Sequence, residues 1–456
     1  MTAAVHNIIN GELRPAAATR TAGPWQLPLV NDREVALAIK VATTRGAPDR
    51  KTAIEALRAI GRESTWMSHG QCVAQAVSSR TPLHHIKSNV RTVNSWLASI
   101  GDYVDRVAGA VQPSANGTLT YVGGIPTMCV LAGNEFMQAP WVITNALLAG
   151  APAIVKPSGV DPCPPFWFTS ALLAHDIASI QLLYLDSSTP AGRQQVRAAL
   201  TATGQSVVFG EDATIAAVYD GCPGLHRHKA IPFWTGRAAA IVYGDADLAA
   251  AALGLVEGAT YSSGRNCLST KKVFCSERIA DALEQHIVAE LRKLRRGPVD
   301  DEYVDLGPIN EDVRAHVLAA ATKDTVLYDD DALVVRCSPA SSPCLLVDEQ
   351  PCPLLSLVRA PDDALIGLAN GVVERTPSRR AMSIGVWTAR RERFDATAAA
   401  LAAYKVVWNG PTNPWSVYTA HEGINLFHEL MRPKAICAGR PSFYELGKPR
   451  LKPWPW

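Results

Sequence analysis

Apolar residues recur along this chain with two periods, and the alternation between those periods predicts its architecture. Residues 7–13 hold two short apolar segments around Asn10-Gly11, which predicts a β-hairpin. From 49 to about 105 the period lengthens. Ile54, Leu57 and Ile60, then Val90, Val93 and Leu97, stand three or four apart, as on one face of helices. A second hairpin is predicted around Asn116-Gly117. Short apolar strands then alternate with helices. Strands are predicted over 127–131, 153–156, 180–185 and 206–209, and helices over 136–148, 166–173 and 191–200. Gly210-Glu211-Asp212 opens a further helix through 219, with Asp212 a suitable N-cap. A second such region follows, with strands at 238–242 and 272–275 and helices at 247–258 and 281–296, the last ended by Gly297-Pro298. Strands and helices continue to about 408. The expected fold class is α/β, with parallel sheets covered by helices on both faces.

Composition changes this picture little. The chain has 456 residues, long enough for two or three domains, and 48% of them are apolar. A net charge of +2 implies no field for nucleic acid or a membrane surface. The basic run at 292–296 suits a helix end. The longest apolar run, 141–155, contains Asn145, Gly150 and Pro152 and is too short to span a bilayer. No charged and then apolar leader opens the chain. Ten cysteines occur without a CxxC pair, so neither a zinc site nor a redox dithiol is indicated, no metal is expected, and a reducing cytoplasmic setting is.

Candidate chemistry concentrates at Ser262-Ser263-Gly264-Arg265-Asn266-Cys267-Leu268-Ser269. There a cysteine sits in a small polar turn between an apolar helix and a strand. A thiolate is both a strong nucleophile and a competent leaving group, so such a cysteine suits acyl transfer; a lone cysteine is otherwise an ordinary buried residue. His226 and His228 form a possible acid–base or metal pair, though solvated loop histidines are the simpler reading. The segment 408–415 suits either an acyl tunnel or plain packing.

Several motifs in order resemble the aldehyde dehydrogenase superfamily, over roughly 120–420. Gly133-Asn134-Glu135-Phe136 resembles the loop whose asparagine helps form the oxyanion hole. Ala149-Gly150-Ala151-Pro152-Ala153-Ile154-Val155-Lys156-Pro157-Ser158 is similar to the cofactor strand that ends in a ribose-binding lysine. Phe209-Gly210-Glu211 falls at the turn beneath the pyrophosphate, and Gly264-Arg265-Asn266-Cys267 at the nucleophile. Asp245-Ala246-Asp247-Leu248 and Asp305-Leu306-Gly307-Pro308 match common family turns. Glu349-Gln350-Pro351-Cys352-Pro353 resembles the segment whose glutamate holds the nicotinamide ribose. The resemblance implies two Rossmann-like parallel-sheet lobes with small β elements for oligomerisation. A cofactor domain would take 1–110 and 123–235, a catalytic domain 236–425, and bridging elements 111–122 and 430–456. A homodimer is the default expectation.

Departures from the pattern refine the expected activity. Hydrolytic members carry a glutamate 34 residues before the cysteine, where it activates water; this chain has Phe233. A phenyl ring accepts no proton, so the thioester is expected to wait for another nucleophile. That feature resembles the acyl-CoA reductases and CoA-acylating members, and the stretch 207–215 most resembles the long-chain fatty-acyl reductase of bacterial luminescence. The expectation is therefore NADPH-dependent reduction of an acyl-CoA or acyl-carrier thioester to an aldehyde. Aldehyde oxidation, with NAD(P) and with CoA as a possible acceptor, is the alternative; an inactive nucleotide-binding scaffold is a third. By the resemblance Cys267 and Asn134 are catalytic, while Lys156, Ser158, Gly210 and Glu349 bind cofactor. Gly159 replaces a ribose-binding glutamate three residues after the lysine, which favours NADPH over NADH. Glu211 is a misplaced charge beneath a pyrophosphate.

Overall fold

A computed structural model describes residues 5–22, 25–64, 66–108, 113–114, 117–220, 222, 228–414, 416 and 420–437. Two seven-stranded sheets organise it. In the first, strands Lys229–Phe233, Gln205–Phe209, Thr127–Val130, Ala153–Lys156 and Ile180–Leu182 lie side by side, all parallel. The predicted hairpin Asn7–Ile9/Glu12–Arg14 completes that sheet antiparallel, with Ile8 opposite Leu13. The second sheet has the order Thr325–Asp329, Leu333–Cys337, Leu354–Ala360, Lys272–Ser276, Ala239–Val242, Ala381–Trp387 and Ala403–Trp408. Only its first strand runs antiparallel. The central strands of both sheets are buried along their length, which explains why they read as short unbroken apolar runs.

The helical region at 49–105 resolves into helices Arg50–Glu63, His69–Ser79, Leu83–Ala98 and Ile100–Ala108. Leu57, Ile60, Val90, Val93 and Leu97 all enter the core they share with the first sheet. A third sheet joins Pro113–Ser114, Gly117–Val122 and Arg432–Cys437. It contains the second predicted hairpin, whose turn residues 115–116 lie outside the described residues. The strand Arg432–Cys437 lies within 430–456, the segment expected to bridge subunits, of which 438–456 lie outside the description.

Several boundaries differ from expectation. The helix expected from 136 begins at Gln138, and the strand expected to 185 ends at Leu182. The helix expected to run to Arg296 ends at Lys293; Arg295 and Arg296 instead pair with Asp305 and Asp330. Among the elements that escaped the periodicity are the hairpin Ala18–Ala22/Trp25–Leu29, helix Asp32–Thr44 and the edge strand Lys229–Phe233. Asn31 and Glu34 cap that helix reciprocally, a signature present in the chain as Asn-Asp-Arg-Glu.

Candidate active site

The site is built from the loop that carries Cys267. Helix Leu248–Thr260 starts at Asp247, whose carboxylate accepts from the N–H groups of Ala249 and Ala250 at 3.0 and 3.1 Å. The helix runs into the tight turn Tyr261–Gly264, where Ser262, Ser263 and Gly264 all adopt left-handed backbone angles, with φ of 50°, 52° and 68°. For each serine that conformation costs about 1–2 kcal/mol, so the surroundings must hold it. They do so with side chains. Ser262 Oγ donates to Glu135 at 3.3 Å and Ser263 Oγ to the carbonyl of Arg80 at 2.5 Å. The fully buried Lys271 donates to the carbonyls of Gly264 and, at 2.6 Å, Cys352. A methyl group on Gly264 would stand 2.3 Å from the Cys352 carbonyl oxygen. Behind the cysteine, a Cβ on Gly236 would lie 2.1 Å from the Cys267 oxygen, so the nucleophile's backbone rests directly on the chain joining the two sheets.

Cys267 opens onto a cavity of about 510 Å³. Its walls come from the carboxyl ends of three strands in the first sheet, through Gly133-Asn134, Phe209-Gly210-Glu211 and Phe233-Trp234, and from Glu349 and Glu422 on the other side. Carboxyl ends of parallel strands are where α/β sheets bind ligands. A second cavity of about 60 Å³ lies against the same cysteine, lined by Met137, Trp141, Phe209, Tyr261, Leu268 and His421. The sulfur thus borders both spaces, one wide with mixed polar and apolar walls and one small and largely apolar.

Of the residues singled out in the sequence, the cavity gathers Cys267, Asn134, Gly210 and Glu349. Asn134 Nδ2 donates to the Arg265 carbonyl at 3.3 Å, and its Oδ1 accepts from Gln138 Nε2 at 2.8 Å. Glu349 is held by the buried Lys272, Nζ to Oε1 at 3.0 Å. Lys156 and Ser158 do not line this cavity. Lys156 is buried, Nζ 3.3 Å from the Pro157 carbonyl, and burial pushes it down to about 8 against the opposing pull of Asp186. Ser158 Oγ accepts from the Val160 N–H at 3.2 Å and sits where a Cβ on Gly133 would be. Asp212 is not the helix cap. Helix Asp212–Tyr219 begins after Glu211 with no side-chain cap, because Asp212 instead pairs with Arg237 at 2.6 Å.

Phe233 stacks face to face on Phe209, ring centroids 4.4 Å apart, within a cluster completed by Trp141 and His421. Against the expectation of a pocket without a carboxyl near the sulfur, the cavity holds that of Glu422. That carboxyl is 6% exposed and lines the same cavity as Cys267. Its Oε2 accepts from the Trp234 N–H at 3.2 Å, and its Oε1 is buried with no hydrogen-bond partner among the described residues. Burial pushes Glu422 up to about 8. Burial first, then the carboxylates of Glu422, Glu135 and Glu349, push the Cys267 thiol well above its usual range. Glu135 is itself raised by burial, yet both its oxygens are engaged, by Asn266 at 2.7 Å, Ser262 and the Met137 N–H at 3.3 Å. Nothing in the spacing of the chain pointed to Glu422.

Of the remaining candidates, His228 is held by structural contacts, whereas the segment 408–415 both packs and lines the site, placing Asn413 in the wall of the small cavity. His228 bridges the Thr203 carbonyl and Ser206 Oγ at 3.0 and 2.8 Å, while His226 lies outside the described residues. Trp408 stacks on Phe394, and Thr412 Oγ1 supports the nucleophile loop by donating to the Leu268 carbonyl at 2.6 Å; Trp415 lies outside the description. Among the described residues, no three His, Cys, Asp or Glu side chains are grouped to hold a metal, and no helix is long and apolar enough to cross a membrane. Nine cysteines, Cys267 among them, are free thiols.

Residues 68–327 match the model of the aldehyde dehydrogenase family. Curated relatives include an NADP-dependent glyceraldehyde-3-phosphate dehydrogenase from Zea mays, 36% identical over 20% of this chain and 18% of its own length. A vanillin dehydrogenase from Pseudomonas fluorescens is 26% identical over 53% of this chain and 50% of its own. The chain thus spans at most half the length of these two relatives. Whole-fold likeness is wider. An oxidoreductase from Marinobacter aquaeolei superposes with a TM-score of 0.81 at 19% identity, over 95% of this chain and 98% of that one. PnpE from Pseudomonas sp. WBC-3 gives 0.82 at 18%, over 97% and 100%. At such identity the likeness is one of fold.

Proposed function

Because the chain belongs to the aldehyde dehydrogenase family, we propose that it is an NAD(P)-dependent oxidoreductase that oxidises an apolar aldehyde through a thioester on Cys267. The observation that carries this reading is the position of the sulfur between two cavities, a wide one sized for a cofactor and a small, largely apolar one sized for a substrate side chain. The wide cavity fits a dinucleotide in volume and in having Gly210 beside the start of a helix, where anions are favoured; the exposed Glu211 opposes it. The nicotinamide would supply the hydride acceptor. Lys156 and Ser158 would hold the adenosine ribose, Gly210 would admit the pyrophosphate, and Glu349, fixed by Lys272, would orient the nicotinamide ribose. Gly159 leaves room for a 2′-phosphate, so NADPH is the favoured reduced form.

In this scheme Cys267 Sγ adds to the carbonyl carbon. The oxyanion is held by Asn134 Nδ2 and the Cys267 N–H; one such donor contributes roughly 2.7–4 kcal/mol to the transition state. The aromatic wall of Trp141, Phe209 and Phe233 selects an apolar substrate and excludes bulk water. We assign the cofactor role to 1–110 and 123–235, the catalytic role to 236–425, and subunit bridging in a homodimer to 111–122 and 430–456.

A second reading is favoured by Phe233. Reduction of an acyl-CoA or acyl-carrier thioester to an aldehyde needs no water-activating base at that position. Assays with aldehyde panels plus NAD+ or NADP+, and with acyl-CoA panels plus NADPH, separate the two. The expected result is aldehyde-dependent NAD(P)H formation that Cys267→Ala abolishes without a change in melting temperature. Turnover by that variant, or NADPH loss with thioesters alone, would reject the oxidative reading.

A further inference from the structure

We propose that Glu422 is the proton acceptor for the water that releases the acyl group from Cys267, a role that rests on the thioester reading above. Residues 421–424 form a closed turn, with His421 and Ile424 exchanging backbone hydrogen bonds at 2.9 and 2.8 Å. Glu422 and Gly423 both have positive φ, at 49° and 74°. A glutamate is held in that conformation at a cost, and the turn delivers its carboxyl into the cavity rather than to solvent. It docks on the Trp234 N–H, next to Phe233, where hydrolytic relatives carry their base. A carboxylate thus returns to the same corner of the site from a different part of the chain.

The other acidic groups near the sulfur are committed elsewhere. Both oxygens of Glu135 accept hydrogen bonds, and Glu349 is paired with Lys272. Glu422 alone among the three keeps a buried oxygen, Oε1, without a partner among the described residues. The groups that face Glu422 are Asp212, paired with Arg237, together with Cys267, Tyr404 and His421, the last also under the influence of Lys405.

Water attacks the thioester carbon while Glu422 takes its proton. The tetrahedral oxyanion collapses, the carbon–sulfur bond breaks, and Cys267 leaves as a thiolate that is reprotonated. The acid departs and Glu422 returns its proton to solvent, with no change of oxidation state.

The test uses p-nitrophenyl acetate, which acylates a reactive cysteine without cofactor. Wild-type protein is expected to release a burst of p-nitrophenolate, then turn over at a rate that rises with pH about a midpoint near 8. Glu422→Gln is expected to keep the burst, lose at least ~100-fold in the later rate, and accumulate an acetyl adduct on Cys267 by intact mass. Glu422→Asp should retain an intermediate rate, which a merely structural role would not produce. A wild-type deacylation rate, or a surviving pH limb, in folded Glu422→Gln overturns the assignment. If that variant does not fold, a wild-type rate that is flat with pH overturns it as well. Absence of a burst in wild type, or its persistence in Cys267→Ala, rejects the thioester reading itself and the assignment with it.

Discussion

Glu211 stands at the start of helix Asp212–Tyr219 and lines the wide cavity, where the proposed pyrophosphate would lie. The helix N-terminus favours an anion and the carboxylate repels it; the carboxylate is exposed, so screening keeps its penalty modest. Glu211→Gln is expected to tighten NADP(H) binding by about 3–10-fold at low salt and by less at high salt, as followed by fluorescence titration. Unchanged affinity at low salt would move the pyrophosphate away from Gly210. Glu422 allows a second prediction, on stability. Its folded pKa of about 8 lies above the unfolded 4.5. Below 4.5 both states hold the proton; between 4.5 and about 8 the folded state binds more, so stability falls as pH rises through that window. The difference in unfolding free energy between wild type and Glu422→Gln should therefore shift against wild type by on the order of a few kcal/mol from pH 4.5 to 8. Lys156 and Lys271, both pushed down from 10.5 to about 8, are protonated in both states through this window and act, with the opposite sign, only above it. Chemical denaturation across pH checks it, and parallel curves for the two proteins would mean that Glu422 is ionised in the fold.

Elements fix these residues through backbone demands that side-chain chemistry alone does not reveal. Ser262-Ser263-Gly264 reads in the sequence as a flexible polar turn, yet it is a left-handed run pinned by Arg80, Glu135 and Lys271. Gly264→Ala adds left-handed strain and a contact of 2.3 Å with the Cys352 carbonyl. The expected result is a loss of at least ~2 kcal/mol in stability and a burst slowed more than tenfold, read by denaturation and stopped-flow. Stability lost with a wild-type burst would show that the turn does not position the sulfur. The contrast explains what was legible. Strands such as Ala153–Lys156 and Ala239–Val242 declare themselves as apolar runs because they are buried along their length. Helix Asp32–Thr44 buries only Val35, Ala38, Val41 and Ala42, a stripe poor in large apolar side chains, and so escaped. Asp212 misled because its pairing partner, Arg237, is remote in sequence. That Cys267, Asn134, Gly210 and Glu349 belong near one another was legible from local motifs, and they line one cavity. Glu422 was not, since its meaning depends on a backbone N–H nearly two hundred residues away.

At the scale of the whole molecule, the site lies where the two sheets meet, and Arg265 is among the side chains that span that junction. Arg265, two residues before the nucleophile, donates one arm of its guanidinium to the Ser79 carbonyl and the other to that of Gly133. Asn134 donates back to the Arg265 carbonyl at 3.3 Å, so the proposed oxyanion donor and the nucleophile loop are tied from both sides. A planar fork satisfies two carbonyls at once, whereas an ammonium on a flexible stem reaches one of them well. Arg265→Lys keeps the charge and loosens the tie. Leaving one carbonyl unpaired costs about 1–3 kcal/mol, so the melting temperature should fall by several degrees. The more telling effect is kinetic. If the fork sets the distance between Asn134 and Cys267, the burst with p-nitrophenyl acetate should slow about 10–100-fold while KM for the ester changes little, because ground-state binding lies along the aromatic wall. A fall in stability with an unchanged burst would make Arg265 a clamp for the fold alone. A rise in KM with an unchanged rate would put it in contact with substrate.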